Sequence, residues 1–124
     1  MFATILRFII GRLVLFVNLL TLPRKGRRTE QEQQALNADI DRHQLYQFYA
    51  CPFCIKVRRQ MRRLNLPIEC RDARKNLIFR KELLSEGGRL KVPCLRIEKA
   101  GGEVLWMYES DDINRYLEQT FPLS

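Results

Sequence analysis

Histidine and acidic charge are both scarce in this chain of 124 residues. The one histidine, His43, precedes the first apolar strand and is assigned no catalytic role. Asp and Glu number 14 against 22 Lys and Arg, a formal charge of +8. Residues 1–50 carry 7 basic and 4 acidic side chains, or +3, and residues 51–124 carry 15 and 10, or +5. The excess therefore belongs to the whole surface and not to a detachable tail. It favours anionic small molecules, acidic proteins or phospholipid headgroups as partners. No nucleic-acid-recognition motif or basic–aromatic repeat is present, so nucleic acid is not expected as a partner. There is no internal repeat and no low-complexity segment. A small-x-small cleavage site is also missing, which argues against a removed signal peptide.

The four cysteines are Cys51, Cys54, Cys70 and Cys94. Without a cleaved signal they do not read as the disulfide framework of a small secreted protein. A four-cysteine zinc site needs two close pairs, and Cys70 and Cys94 are 24 residues apart, so no metal site is expected. The informative stretch is Cys51-Pro52-Phe53-Cys54, where an apolar strand gives way to a basic helix. Two thiols three positions apart can close a small disulfide ring and reopen it. The unpaired N–H groups of a helix start favour negative charge on the outer thiol. Cys51 is thus read as nucleophile, with Cys54, one turn inside, as the resolving thiol.

Residues 2–22 hold 14 of Leu, Ile, Val or Phe. At roughly 0.3–0.6 kcal/mol each they favour membrane insertion by about 6 kcal/mol, while Arg12 near the midpoint opposes it by about 3 kcal/mol. Arg7, Gly11, Asn18 and the two threonines add further cost, and the sum lies near zero. A helical wheel gathers Thr4, Arg7, Gly11 and Asn18 on one face. Such a segment spans marginally, lies tilted in the membrane plane, or packs on the domain or a partner. The cations Arg24, Lys25, Arg27 and Arg28 follow it directly and are expected to stay cytoplasmic, placing the rest of the chain in the cytosol.

The domain division expected is a hydrophobic membrane-associated helix at 1–22, a basic and polar linker at 23–43, and a globular domain at 44–124. Thr29 to Glu32 fits a capping box, so a short helix at about 30–40 or a flexible tether follows. Leu45–Tyr49 reads as a strand, and Cys54, Val57, Met61 and Leu64 as one buried face of a helix that starts at Pro52. Ile68–Arg71 is a second strand. Asn76–Ser85 is a second helix, using Leu77, Phe79, Leu83 and Leu84, and Gly87-Gly88 closes it. Cys94–Ile97 and Val104–Met107 form a hairpin around Lys99–Gly102, and a last helix begins near Ser110. The fold class is α/β, in the order β-α-β-α-β-β-α.

This order, with Cys-Pro-Phe-Cys after the first strand, Val92-Pro93 before the third and Glu109-Ser110 at the last helix, resembles the glutaredoxin family of the thioredoxin fold. The resemblance covers about Gln44 to Phe121. It is closest to glutaredoxins that look like a glutathione-transferase N-terminal domain. It implies that Cys51 and Cys54 are the catalytic pair and that Pro93 is a cis-proline. It also implies that Phe53, Val92, Glu109 and Ser110 bind glutathione. In the family the backbone before the proline pairs with the cysteinyl part of glutathione. The carboxylate and hydroxyl of the Glu-Ser pair hold its γ-glutamyl end. The lysine that many glutaredoxins carry before the first cysteine is absent, the stretch being Gln47-Phe48-Tyr49-Ala50, and Arg59 or Lys91 are the substitutes expected. Cys94 is read as a small apolar core residue and Cys70 as structural.

The expected function is that of a glutathione-linked thiol–disulfide oxidoreductase. It would reduce protein–glutathione mixed disulfides or protein disulfides, with glutathione as cosubstrate and no tightly bound cofactor. Its partners would be glutathione, glutathionylated or disulfide-bonded proteins, and the membrane through residues 1–22. The alternative is a non-enzymatic membrane-tethered module of the same fold, or a dimer holding an iron–sulfur cluster through Cys51 and glutathione. A full glutathione transferase is not expected, since no room is left after the last helix for its second, helical domain.

Overall fold

Four strands form one sheet in the order β2-β1-β3-β4. They are β1 (His43–Gln47), β2 (Glu69–Asp72), β3 (Cys94–Glu98) and β4 (Val104–Met107). β1 runs parallel to β2 and antiparallel to β3, and β3 and β4 are the antiparallel hairpin. The helices are α1 (Phe2–Leu20), α2 (Glu30–Ile40), α3 (Pro52–Arg63), α4 (Leu77–Ser85) and α5 (Ser110–Thr120). This is a computed structural model, and it describes residues 2–123. From β1 to α5 the order is the β-α-β-α-β-β-α read from the sequence.

Every position of β1 is buried, because helices cover both faces of the sheet. Alternation then sorts its side chains between two cores. Leu45 joins Leu95 and Ile97 of β3 in a cluster with Val57, Met61, Ile113 and Leu117 from α3 and α5. Tyr46 points the other way, into a smaller cluster with Ala73, Leu83 and Cys94, against which Phe79 and Trp106 pack. Each fully buried leucine stabilises the fold by about 1.5–3 kcal/mol.

β1 lies two residues earlier than the aromatic run indicated. Its ladder to β2 stops at Gln47 and Asp72. The chain then turns, Cys51 N–H donating to Phe48 O at 3.2 Å, and Tyr49 is left exposed. α4 buries Leu83 and packs Phe79 on the smaller cluster, whereas Leu77 and Leu84, expected inside, face solvent. The sequence shows five apolar residues in α4, from Leu77 to Leu84, but the sheet offers a contact surface for only part of them.

Residues 30–40 are helical, and Thr29 caps them by accepting the Glu32 N–H at 3.2 Å. Ile40 of this helix enters the main core, and Leu36 packs against it. The basic stretch before it is strapped to the domain. Arg62 Nε donates to Pro23 O at 2.9 Å, and Gly26 N–H donates to Arg62 O. Arg28 turns inward and donates to Leu64 O, to Asn65 O and to Phe121 O, the last at 2.7 Å. Leu64 and Phe121 are the C-terminal cap residues of α3 and α5. One guanidinium thus satisfies carbonyls that two helix ends leave free.

Candidate functional site

Cys51 is the N-cap of α3, with φ −72° and ψ 125°, and Pro52 supplies the first helical position. A proline there costs nothing, because the N–H it lacks would have no partner in the helix. The Cys51 side chain makes no capping bond, so its sulfur is not consumed in holding the helix. Its carbonyl accepts the first helical bond from Ile55 N–H at 2.9 Å. Cys51 is half-buried, Cys54 is completely buried, and both are free thiols. Phe48 N–H donates to Cys54 Sγ at 3.5 Å. Burial above all pushes the Cys54 thiol up to about 12, the Phe48 bond opposing it and the neighbouring Cys51 adding to it. Cys54 is therefore held protonated behind a partly accessible Cys51.

The topology carries the other candidate residues to the same end of the sheet. β3 is antiparallel to β1, with Cys94 opposite Tyr46, so Val92 and Pro93 lie across from the turn that leads to Cys51. The Val92–Pro93 peptide bond is cis, and Pro93 is buried. β4 is antiparallel to β3, with Met107 opposite Leu95, and its continuation returns Glu109 and Ser110 to this end. Lys56 of α3 pairs with Asp111 of α5, tying the starts of the two helices together. Phe53 is exposed on the first turn of α3.

Glu109 precedes α5 with φ 69° and ψ 116°, in the half of conformational space that favours glycine. Such a backbone costs about 1–3 kcal/mol and gathers at functional sites. Its carboxylate is exposed and sits 2.5 Å from Lys91 Nζ. Ser110 is buried at the first position of α5, where backbone N–H groups lack helical partners.

The five cations of α3 do not form a free face. Lys56 meets Asp111, and Arg63 meets Glu118. Arg58 donates to Gln47 Oε1 at 2.5 Å and to Tyr49 O at 2.6 Å, holding the loop before Cys51. Arg59, named from the sequence as a substitute for the absent lysine, is instead bound to Asn18 and Thr21 at the end of α1. Lys91 is beside Glu109. The role of Arg58 as loop holder was not read from the sequence, since a cation on a basic helix looks like any other.

Cys94 is fully buried, and that burial pushes its thiol up to about 12. Cys70, read from the sequence as structural, is an exposed residue of the edge strand β2. His43 opens β1 and is buried. Its Nδ1 donates to Asp39 O at 2.7 Å, which leaves Nε2 to accept the Tyr116 hydroxyl at 2.7 Å. Two surface hollows of about 270 and 230 Å³ lie around Met61 and Cys70 and around His43 and Tyr116. Neither contains Cys51, and disulfide exchange needs an approachable sulfur more than an enclosed cavity. Among the described residues no group of three or more His, Cys, Asp or Glu could hold a metal ion.

The fold and the residues converging at this end define a thioredoxin-like α/β domain. The profile of the glutathione S-transferase N-terminal domain matches residues 45–124, and the chain belongs to that family. Domains of this family bind glutathione. No curated protein and no solved structure matches the chain.

Proposed function

We propose that the protein is a glutaredoxin-type thiol–disulfide oxidoreductase that reduces glutathione mixed disulfides or disulfides of proteins. The observation that carries this reading is the Cys51–Cys54 pair: one sulfur half-exposed at a helix start, the other completely buried one turn behind it. An unreactive structural pair has no need of that asymmetry. In the exchange, Cys51 thiolate attacks the sulfur of glutathione in a protein–glutathione disulfide. A Cys51–glutathione bond forms, the old S–S bond breaks, and the protein thiolate leaves and takes a proton. A second glutathione thiolate then attacks that bond, regenerating Cys51 and releasing glutathione disulfide. With a protein disulfide as substrate, Cys54 loses its proton, attacks the mixed disulfide and closes the ring, which two glutathione molecules reopen.

Glutathione is bound in this reading by the Val92 backbone, Phe53, Glu109 and Ser110. The carboxylate of Glu109 suits the α-amino group of the γ-glutamyl end, and the start of α5 suits its α-carboxylate. Residues 1–22 hold the protein at a membrane, with the redox domain on the cytosolic side. Supporting the first part, α1 is, among the described residues, the helix long and apolar enough to cross a membrane. The cations that follow it support the orientation.

Family membership alone also admits glutathione transfer to an electrophile, and one pair of assays separates the two. Purified protein is given a glutathionylated peptide with glutathione, and separately an aryl halide with glutathione. The reading expects turnover of the first, its loss in Cys51→Ser, and retained deglutathionylation in Cys54→Ser. Full activity of Cys51→Ser on the mixed disulfide would falsify it.

A further inference from the structure

Helix α1 docks on the domain by one narrow edge and leaves the rest of its surface bare. Its half-buried positions are Gly11, Val14, Leu15 and Asn18, a single stripe along a helix. A Cβ built on Gly11 would meet Ala50 Cβ at 3.5 Å, so α1 lies against the residue beside Cys51. At its other end, Arg59 donates to Asn18 Oδ1 at 3.0 Å, Thr21 Oγ1 at 3.1 Å and Thr21 O at 2.6 Å. The other apolar side chains of α1, Phe2, Phe8 and Phe16 among them, are exposed. A soluble protein rarely leaves so large an apolar surface uncovered.

This docking decides how α1 meets a bilayer. Gly11 precedes Leu20 by nine residues, about 14 Å along a helix axis. An upright span would therefore draw Ala50 and the start of α3 about 14 Å into a hydrocarbon layer about 30 Å thick. Lys56, Arg58 and Asp111 would follow, charged groups that are costly near the bilayer centre. The apolar residues of α1 already have to offset Arg7 and Arg12 and do not cover that added cost. An upright helix must leave the domain, whereas a helix lying in the membrane plane keeps every contact.

A second observation adds exposed apolar surface near that contact. β1 and β2 are parallel, so α3 and α4, which follow them, start at one end of the sheet. Most of the large apolar side chains exposed outside residues 1–22 cluster there: Tyr49 is 62 % exposed, Phe53 62 %, Leu77 76 % and Ile78 69 %. This is the end that α1 touches through Ala50. Arg24, Lys25 and Arg27 are exposed just after α1, a charge pattern that suits anionic headgroups.

We propose that α1 lies in the plane of an anionic bilayer surface, which sets Ala50 and Cys51 beside it at headgroup level. The mixed disulfides within reach are then those of membrane proteins at headgroup level, a substrate class that rests on the thiol chemistry proposed above.

Leu77→Trp and Ala100→Trp, each in full-length Trp106→Phe protein, test the orientation on phosphatidylcholine–phosphatidylglycerol vesicles with brominated acyl chains. Position 100 lies in the β3–β4 turn, at the opposite end of the sheet. The expected result is strong quenching at 77, little at 100, and loss of the difference when Arg59→Ala is added. Equal quenching at both sites overturns the proposal, as does none at either, or a difference that survives Arg59→Ala. Protein that stays in solution also overturns it and assigns the bare face to a protein partner. The substrate is read separately, on one glutathionylated peptide either free or anchored to the vesicles by an acyl chain. The anchored form is expected to react about tenfold faster through local concentration. Equal rates overturn the substrate class. Inactivity on both forms overturns it together with the thiol chemistry, while the quenching speaks to orientation alone.

Discussion

Lys91 Nζ stands 2.5 Å from Glu109 Oε1, where the chain passes from β4 to α5 beside the Cys51 loop. Both side chains are exposed, so the pair contributes at most about 1 kcal/mol to stability. Its place at the convergence of Cys51, Val92-Pro93 and Ser110 gives it a different use. In the function proposed above, that carboxylate takes the α-amino group of glutathione in place of the Lys91 ammonium.

Glu109→Gln should therefore raise KM for glutathione about tenfold, the equivalent of about 1.4 kcal/mol, and leave kcat nearly unchanged. The thermal midpoint should stay put, because glutamine keeps the shape and the residue is exposed. Lys91→Ala should leave KM equal or lower. Steady-state kinetics on a glutathionylated peptide check both, and an unaltered KM in Glu109→Gln removes Glu109 from the site.

Thiol accessibility gives the second test. Iodoacetamide at pH 7.5, followed by peptide mass spectrometry, should label Cys51 and the exposed Cys70 in reduced protein. Cys54 and Cys94 should stay unlabelled until denaturant is added, because both are fully buried and burial pushes both thiols up to about 12. Labelling of Cys54 in native protein as fast as Cys51 would contradict the arrangement in which one sulfur waits behind the other.

His43 should make stability depend on pH. Burial lowers its proton affinity below the ordinary 6.5, the Asp39 carbonyl and carboxylate opposing. Above about 6.5 the imidazole is neutral in both folded and unfolded chains, so no stability is lost. As pH falls through 6.5 the unfolded chain takes up the proton first, and stability drops. Urea midpoints measured from pH 7.5 to 5.5 should decline in the native sequence and flatten in His43→Gln. The same slope in both proteins would place the proton elsewhere.

Arg28 is expected to matter more than its place in a basic run indicates. Arg28→Ala strips the bond from Phe121 O and from the end of α3 at once. The predicted cost is about 1–3 kcal/mol, the range for groups left without a partner. Arg28→Lys should recover only part of it, because an ammonium lacks the planar fork that reaches two helix ends. Urea denaturation measures it. A loss under about 0.5 kcal/mol, the level of an ordinary surface change, would show the guanidinium to be replaceable by water.

Local signals carried much of the domain into view. Pro52 before an apolar 3-4-3 repeat marks the start of α3. The Asn76 side chain accepts from Ile78 and Phe79 N–H as a cap. The turn at Lys99–Gly102 needs the positive φ that Gly102 supplies. These are short-range rules of backbone geometry, and a sequence displays them directly. The strand ends were less legible, since Phe48 and Tyr49 continue the aromatic run of β1 but lie beyond its last ladder pair.

What the sequence determined by itself, then, is the class of fold, the position of Cys51 at a helix start, and the apolar character of residues 2–22. All three follow from spacing and composition within a few residues. Tertiary structure alone decided that α4 leaves Leu77 and Ile78 bare, that Arg28 joins two helix ends, and that Arg59 binds α1 and not the site. It also decided that Gly11 rests on Ala50. Each of these depends on which distant segments the fold brings together, and a long cation or leucine has the same local signature whichever partner it meets.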